Sequence, residues 1–182
     1  MPAVAGEPDA AFVCDKVIAD FGCGPRGSLC WATGAKRRIG IDVLAAAYKR
    51  EFGVDDQPME YVASTETEIP LPNASVDILF TINAIDHAEH FARMCGELLR
   101  ILTGGGSFIA SINLNEPATV SEPQTLTDEL VNVNLLRHLD VEKRRDAPQG
   151  PPDDNYRHCY AGAPVTDRNA PRYAWIRARK PM

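Results

Sequence analysis

Lys16-Val17-Ile18-Ala19-Asp20-Phe21-Gly22-Cys23-Gly24-Pro25-Arg26-Gly27 is the stretch from which the other elements can be placed. An apolar run suited to a buried parallel strand meets a carboxylate and then turns through glycines. Glycine permits a tight turn and lets the backbone approach a ligand where a side chain would block it. A helix beginning just beyond such a turn presents its free N–H groups to the bound molecule. The stretch reads as a nucleotide-type cradle, with a short helix expected from about Arg26 to Thr33.

Outward from this turn, strand and helix patterns alternate. Arg38 to Val43 reads as a second buried strand ending near Asp42, and Leu44 to Phe52 as an Ala-rich helix closed by Gly53. Met59 to Ala63 and Val76 to Ile82 read as the third and fourth strands. Ala88 to Leu102 carries the clearest helical period, with Phe91, Met94, Cys95, Leu98, Ile101 and Leu102 at three- and four-residue steps. Gly104-Gly105-Gly106 is expected to stop that helix before a fifth strand, Ser107 to Leu114. Thr125 is expected to cap a helix to about Leu139, with Asp128 as its capping-box partner. Val141 to Arg145 and Tyr173 to Arg179 are weaker strands. Between them, Asp146 to Arg172 is long and Pro-rich, a mobile lid or a contact surface. Met1 to Asp15 is expected to be loose, with an apolar anchor at Phe12-Val13. The pattern predicts one α/β domain over residues 1–182, a doubly wound parallel sheet with helices on both faces.

Composition narrows the function. The chain has 182 residues, 45% hydrophobic and 24% charged, with a net charge of −6. An acidic chain argues against nucleic acid or an anionic membrane as the main partner. The short Lys36-Arg37-Arg38 and Lys143-Arg144-Arg145 runs read as solvated strand flanks. Cys14, Cys23, Cys30, Cys95 and Cys159 form no C-x-x-C pair and no zinc spacing, so no metal set is predicted and a reducing cytoplasm is expected. No apolar stretch approaches the roughly 18 residues of a membrane helix, and the opening residues lack a signal-peptide core.

Gly22-x-Gly24-x-x-Gly27 matches the dinucleotide fingerprint, a weak signal when alone. Asp42 follows Asp20 by 22 residues and ends the second strand, where a carboxylate can accept both hydroxyl protons of a ribose. Its plainer role would be to cap the helix from Leu44. Asp20 separates two ligand classes. A carboxylate at the strand tip repels a pyrophosphate and suits a cation, and S-adenosylmethionine carries a sulfonium and an ammonium with no phosphate.

Asp20-Phe21-Gly22-Cys23-Gly24-Pro25 resembles the D-x-G-C-G-P signature of class I S-adenosylmethionine-dependent methyltransferases, in particular the small-molecule type 11 group. Gly40-Ile41-Asp42 is similar to their second signature. The segment Ile69 to Phe80 resembles their L-P-F-P-D-x-S-F-D-V-V-F, and Ile85-Asp86-His87 stands where they often carry L-E-H. Leu98 to Gly106 is similar to their L-x-R-V-L-K-P-G-G. The resemblance spans Val17 to Leu114 in order. It implies a seven-stranded Rossmann-like sheet with an antiparallel last strand and S-adenosylmethionine as cofactor. It implies that Gly22 and Gly24 wrap the methionine, with Asp20 near the ammonium and Phe21 also at the cofactor. Asp42 would bind the ribose and Val43 the adenine face. Thr65 and Glu66 would reach the adenine edge, and Asn83 would border the methyl. Arg26 departs from the family's third glycine, and Thr65 stands where many relatives have Asp. Fewer than 20 residues precede strand one, where many relatives carry covering helices. The cover is then expected from residues 146–172, from a second copy or partner subunit, or the site is open.

Methyl transfer from a sulfonium is an in-line displacement, which requires the acceptor atom about 3 Å from the methyl and water kept out. An oxygen acceptor also benefits from a base. Asp86, His87 and His90 follow strand four on the side where such sheets bind ligands, and His87 is the first candidate, with Asp86 beside it. Capping or wall packing is the structural alternative for His87. Asn83-Ala84-Ile85-Asp86 replaces the N-P-P-Y that amino methylation of nucleic acid would call for, so a small-molecule acceptor is expected. Asn113 to Thr125, and Tyr156, His158 and Tyr160, could line its pocket. The rival readings are an NAD(P)-dependent oxidoreductase and a non-catalytic S-adenosylmethionine-binding subunit.

Overall fold

The computed structural model describes residues 2–149 and 164–182. Seven strands form one sheet: β1 Val17–Phe21, β2 Arg37–Asp42, β3 Glu60–Ala63, β4 Val76–Ile82, β5 Leu102–Leu114, β6 Asp140–Pro148 and β7 Arg172–Arg179. Their order is β3-β2-β1-β4-β5-β7-β6. β1 to β5 pair in parallel, while β7 runs antiparallel to both β5 and β6. This is the Rossmann-like methyltransferase sheet with its reversed last strand. The helices are α1 Pro2–Ala5, α2 Ala45–Phe52, α3 Phe91–Ile101 and α4 Asp128–Asn134. No helix among the described residues is long and apolar enough to cross a membrane.

Strand alternation divides the core. Ala19, Phe21, Leu79, Phe108 and Ala110 face α3 and α4 on one side of the sheet. Ile18, Ile78, Phe80 and Ile109 face the other side, under Val13, Leu29 and Ala32. Residues 2–13 are therefore packed rather than loose. Trp175 Nε1 donates to the Val4 carbonyl at 2.6 Å, and Arg177 donates to Ala5 O and pairs with Glu7.

Three further expectations change. No helix forms between Arg26 and Thr33; Gly24 to Trp31 is a series of turns. Pro25 and the positive φ of Gly24 and Gly27 (60° and 69°) break a helical run in a short connection. Thr127, not Thr125, caps α4, its hydroxyl accepting from Leu130 N at 3.2 Å, and Asp128 instead pairs with Arg144 and Arg172. Gly104 to Gly106 do not end α3. They lie inside β5, where pairing with β4 jumps from Val76–Leu102 to Ile78–Ser107. The carbonyls at the end of α3 are met from elsewhere in the chain. Ala74 N donates to Arg100 O, Ser75 N to Ile101 O, and Lys180 Nζ to Leu99 O. Of the long segment expected between β6 and β7, residues 150–163 lie outside the described residues, as do Tyr156, His158 and Tyr160.

Arg100 fixes the loop before β4. Its guanidinium donates to Ile69 O, Leu71 O, Asn73 Oδ1 and both oxygens of Glu97, and Glu97 in turn accepts from Ile69 N. Hydrogen bonds to a charged group are worth more than neutral ones, so Arg100→Ala should lower stability by about 2–3 kcal/mol. Thermal unfolding is expected to show a fall of roughly 5–10 °C.

Candidate functional site

A cavity of about 360 Å³ opens at the carboxyl ends of β1, β2 and β4, where open α/β sheets hold ligands. Phe21, Gly22 and Gly24 form its floor. Gly22 has φ 75°, and a Cβ there would lie 2.2 Å from Ala84 Cβ, so only glycine lets the β1 turn meet the end of β4. A Cβ on Gly24 would meet nothing within 4 Å, which leaves this backbone open to a ligand.

Asp42 ties the two sides of the cavity together. Oδ2 accepts from Gly24 N at 3.1 Å and Oδ1 from Leu44 N at 2.9 Å. It is 9% exposed and still lines the cavity, so lone pairs remain for a ligand's hydroxyls. The N-cap residue of α2 is Leu44, and no side chain caps it. Val43 and Leu44 present exposed apolar surface beside Asp42, and Tyr48 of α2 closes that wall.

The turn itself is braced from β3 and its approach. Tyr61 Oη accepts from Gly27 N at 3.1 Å and donates to Gln57 Oε1, while Gln57 Nε2 donates to Pro25 O at 2.9 Å. These braces stand where the expected helix would have done the same work. Without a helix N-terminus after β1, the pyrophosphate-binding device of the dinucleotide reading is lacking.

Phe21, Gly22, Gly24, Asp42, Val43, Glu66, Asn83 and His87 all line the cavity. Asp20 and Thr65 do not. Asp20 shares the face of Ile18, lies beneath the turn and is 4% exposed. Burial raises its pKa from 3.8 to about 7, opposed by Ser28 and reinforced by Asp42. Thr65 is exposed and spent on its own loop, its hydroxyl accepting from Thr67 N and its N–H donating to Glu68 O. Asn83 adopts φ 51°, a conformation asparagine tolerates, and its N–H donates to Ser111 O at 2.9 Å. Leu44, Tyr48, Ala84, Ala88 and Met94 complete the walls and were not read from the sequence. Met94 carried a signal, as a core position of the α3 stripe, but not one that distinguishes core from cavity.

On the far side of Asn83 lies a second cavity of about 460 Å³. Asn113, Glu116, Pro117, Thr119 and Glu122 line it, within the segment expected to wall an acceptor pocket. Asp86 is 3% exposed beside it, and burial lifts its pKa to about 6 against the favourable influence of His87. Glu116 is lifted to about 7 by burial and by the nearby Glu122 and Asp86 charges. His87 is partly exposed, with Nδ1 3.0 Å from Ser121 O and Nε2 3.7 Å from Glu122 Oε1. His90 is exposed, stands at the N-cap of α3 without capping it, and reaches neither cavity.

Comparison with known proteins agrees with this architecture. The chain is 33% identical over 98 residues to a malonyl-[acyl-carrier protein] O-methyltransferase from Yersinia pestis, covering 52% of this chain and 36% of that protein. It is 30% identical over 108 residues to a sterol 24-C-methyltransferase from Eremothecium gossypii, covering 54% and 28%. The chain thus matches about a third of the length of these relatives. A crystal structure of an S-adenosylmethionine-dependent methyltransferase from Mesorhizobium loti superposes with a TM-score of 0.68 at 19% identity, covering 98% of this chain and 96% of that one. Residues 19–110 match the methyltransferase domain family. With that match running from β1 into β5 and over both walls of the glycine cavity, the chain belongs to the class I S-adenosylmethionine-dependent methyltransferases.

Proposed function

We propose that this chain transfers a methyl group from S-adenosylmethionine to an oxygen of a small-molecule acceptor. The observation that carries the reading is the cavity floored by Gly22 and Gly24, walled by Asp42 and Val43, and bordered by Asn83 and His87. Its volume suits one small ligand. Open space at Gly24 fits a donor lying against the backbone, and Asp42, already held by two N–H groups, is pre-oriented to accept from ribose hydroxyls. Val43 and Leu44 offer an apolar surface for an adenine, and Glu66 stands at its edge. When bound, S-adenosylmethionine supplies a methyl group on a positively charged sulfur. Asp20 acts on that positive end from beneath the turn, through a medium of low dielectric, rather than as part of the cavity wall.

The acceptor is assigned to the second cavity, which shares Asn83 with the first. The choice of oxygen rests on the proton acceptors gathered there. Because a carbonyl only accepts, the contact to Ser121 O puts the hydrogen of neutral His87 on Nδ1 and frees Nε2 to take a hydroxyl proton. Asp86 supports the resulting imidazolium. The relatives' names include both oxygen and carbon methylation, so it is these residues, not kinship, that favour oxygen. Asn83-Ala84-Ile85-Asp86 stands where a base-stacking motif would be needed, and nucleic acid is not proposed.

Two measurements test the reading. Calorimetry with S-adenosylhomocysteine should show binding in the micromolar range, weakened at least about tenfold in Asp42→Ala, the scale expected when a charged hydrogen-bonding partner is lost. Absence of binding to the intact protein would refute the reading. The second concerns pH. Asp20 holds its proton in the fold to about 7 but releases it near 3.8 when unfolded, so unfolding releases a proton across that window. Its contribution to stability is complete below pH 3.8 and is lost as pH rises through about 7. The melting temperature of the ligand-free protein should fall by roughly 5 °C or more between pH 5 and 8, and Asp20→Asn should flatten that slope. The ammonium of bound S-adenosylhomocysteine favours ionised Asp20, so its affinity should rise over the same interval, and an unchanged affinity would remove Asp20 from the site.

A further inference from the structure

Beside the donor cavity, Asp86, His87 and Glu122 converge so that one donor atom from each lies within 4.8 Å of the others. Asp86 sits in the short turn after β4; the backbone N–H groups of Asp86 and Asn113 act on its buried carboxylate, but neither oxygen has a side-chain donor or a hydrogen bond of full geometry among the described residues. A carboxylate withdrawn from water without a partner is unfavourable. Asn113, at the end of β5, lines the adjoining cavity, and its side-chain oxygen is likewise buried and unpartnered. A buried carboxylate with no cationic side chain to pair it beyond His87, and a buried amide oxygen without a donor, leave room for a positive centre. Glu116 adds a further carboxylate to the same cavity.

His87 sharpens the constraint. With Nδ1–H donated to Ser121 O, the neutral ring turns the lone pair of Nε2 toward Glu122 Oε1, 3.7 Å away. Two acceptors then face one another. Protonating the ring would relieve the repulsion, but 3.7 Å is too long for the hydrogen bond that should result. Donors bound to a common ion at about 2.0–2.2 Å stand about 3–4.4 Å apart, which accommodates the observed gap. A backbone carbonyl that holds Nδ1–H while Nε2 faces other ligand atoms is also the usual outer support of a metal-binding histidine.

We propose that Asp86, His87 and Glu122 form a binding site for a divalent first-row metal ion on the acceptor side of the donor cavity. One imidazole and two carboxylates suit Zn²⁺ or Mn²⁺ better than Ca²⁺. Three protein ligands leave coordination positions open. Resting on the methyl-transfer reading above, those positions take oxygen atoms of the acceptor. The acceptor class is then one with a hydroxyl beside a second oxygen donor, able to chelate the ion. Coordination lowers the hydroxyl's pKa, its proton passes to solvent, and the oxygen anion attacks the methyl; the O–C bond forms as the C–S bond breaks, its electron pair stays on sulfur, and neutral S-adenosylhomocysteine leaves. With the ion bound, Nε2 of His87 ligates it and the ion takes over activation of the hydroxyl; without the ion, Nε2 keeps the proton-accepting role given above.

Titration of Mn²⁺ into the intact chain, read by electron paramagnetic resonance with Zn²⁺ as competitor, tests the site without donor or acceptor. One ion per chain is expected, with affinity reduced at least about tenfold in Glu122→Gln and in Asp86→Asn. Glu122→Gln should keep the wild-type melting temperature in chelator, which separates loss of a ligand from loss of the fold. A wild-type protein that binds S-adenosylhomocysteine but neither metal overturns the site and leaves the methyl-transfer reading intact. Mn²⁺ binding undiminished in both variants also overturns it. Mn²⁺ bound and lost as expected, with no S-adenosylhomocysteine binding, supports the ion site and refutes the donor assignment instead.

Discussion

The contact on which the site depends is the one between Gly22 and Ala84. A side chain at residue 22 would overlap Ala84 Cβ, so the turn after β1 can close on the end of β4 only because that side chain is missing. Parallel pairing of β1 with β4, from Ile18 opposite Ile78 to Phe21 opposite Thr81, brings the two strand ends to the same level. Asp42 then joins the turn to the start of α2 through two backbone N–H groups. The cavity is the space left between these contacts. Its shape follows from backbone approach more than from the size of any one side chain.

Buried and half-buried acid is the second organising feature. Asp20 lies under the turn, while Asp86, Glu116 and Glu122 gather beyond Asn83. Burial raises the pKa of Asp20, Asp86 and Glu116 toward neutrality, so their negative charge is held at a cost in the ligand-free molecule. Elsewhere the carboxylates behave differently. Glu97 and Glu142 are held below the usual carboxylate range by Arg100 and Arg179. The contrast separates acids paired with arginine from acids without an arginine partner at the two cavities.

Much of the glycine cavity's lining was legible in the chain. The D-x-G-C-G-P run, the Gly-x-Asp at the end of β2 and the apolar stripe of α3 each rest on neighbours close in sequence, where period and turn chemistry speak directly. β4 was read to its terminal residues, and Gly53 closes α2 in the left-handed conformation expected of it. Two of the misreadings share a cause, support supplied from a distance. A helix was expected after Gly24, but Gln57 and Tyr61 brace the turn from a distance, so no helix is required there. The glycines 104–106 look like a helix stop, yet the end of α3 is completed by Ala74, Ser75 and Lys180. Thr65 looked like an adenine contact by position, and its own loop consumes it.

By itself the sequence determined the alternation of strands and helices, the glycine turn and the acid at the tip of β2, because each is written in residues a few positions apart. Only the tertiary structure decided that Asp20 lies beneath the cavity, that residues 2–13 cover one face of the sheet, and that Glu122 stands opposite His87. Those placements are set by which strands pair and by how the segment after β5 folds back over the end of β4. No local period encodes such long-range returns, since their energy appears only when distant surfaces meet.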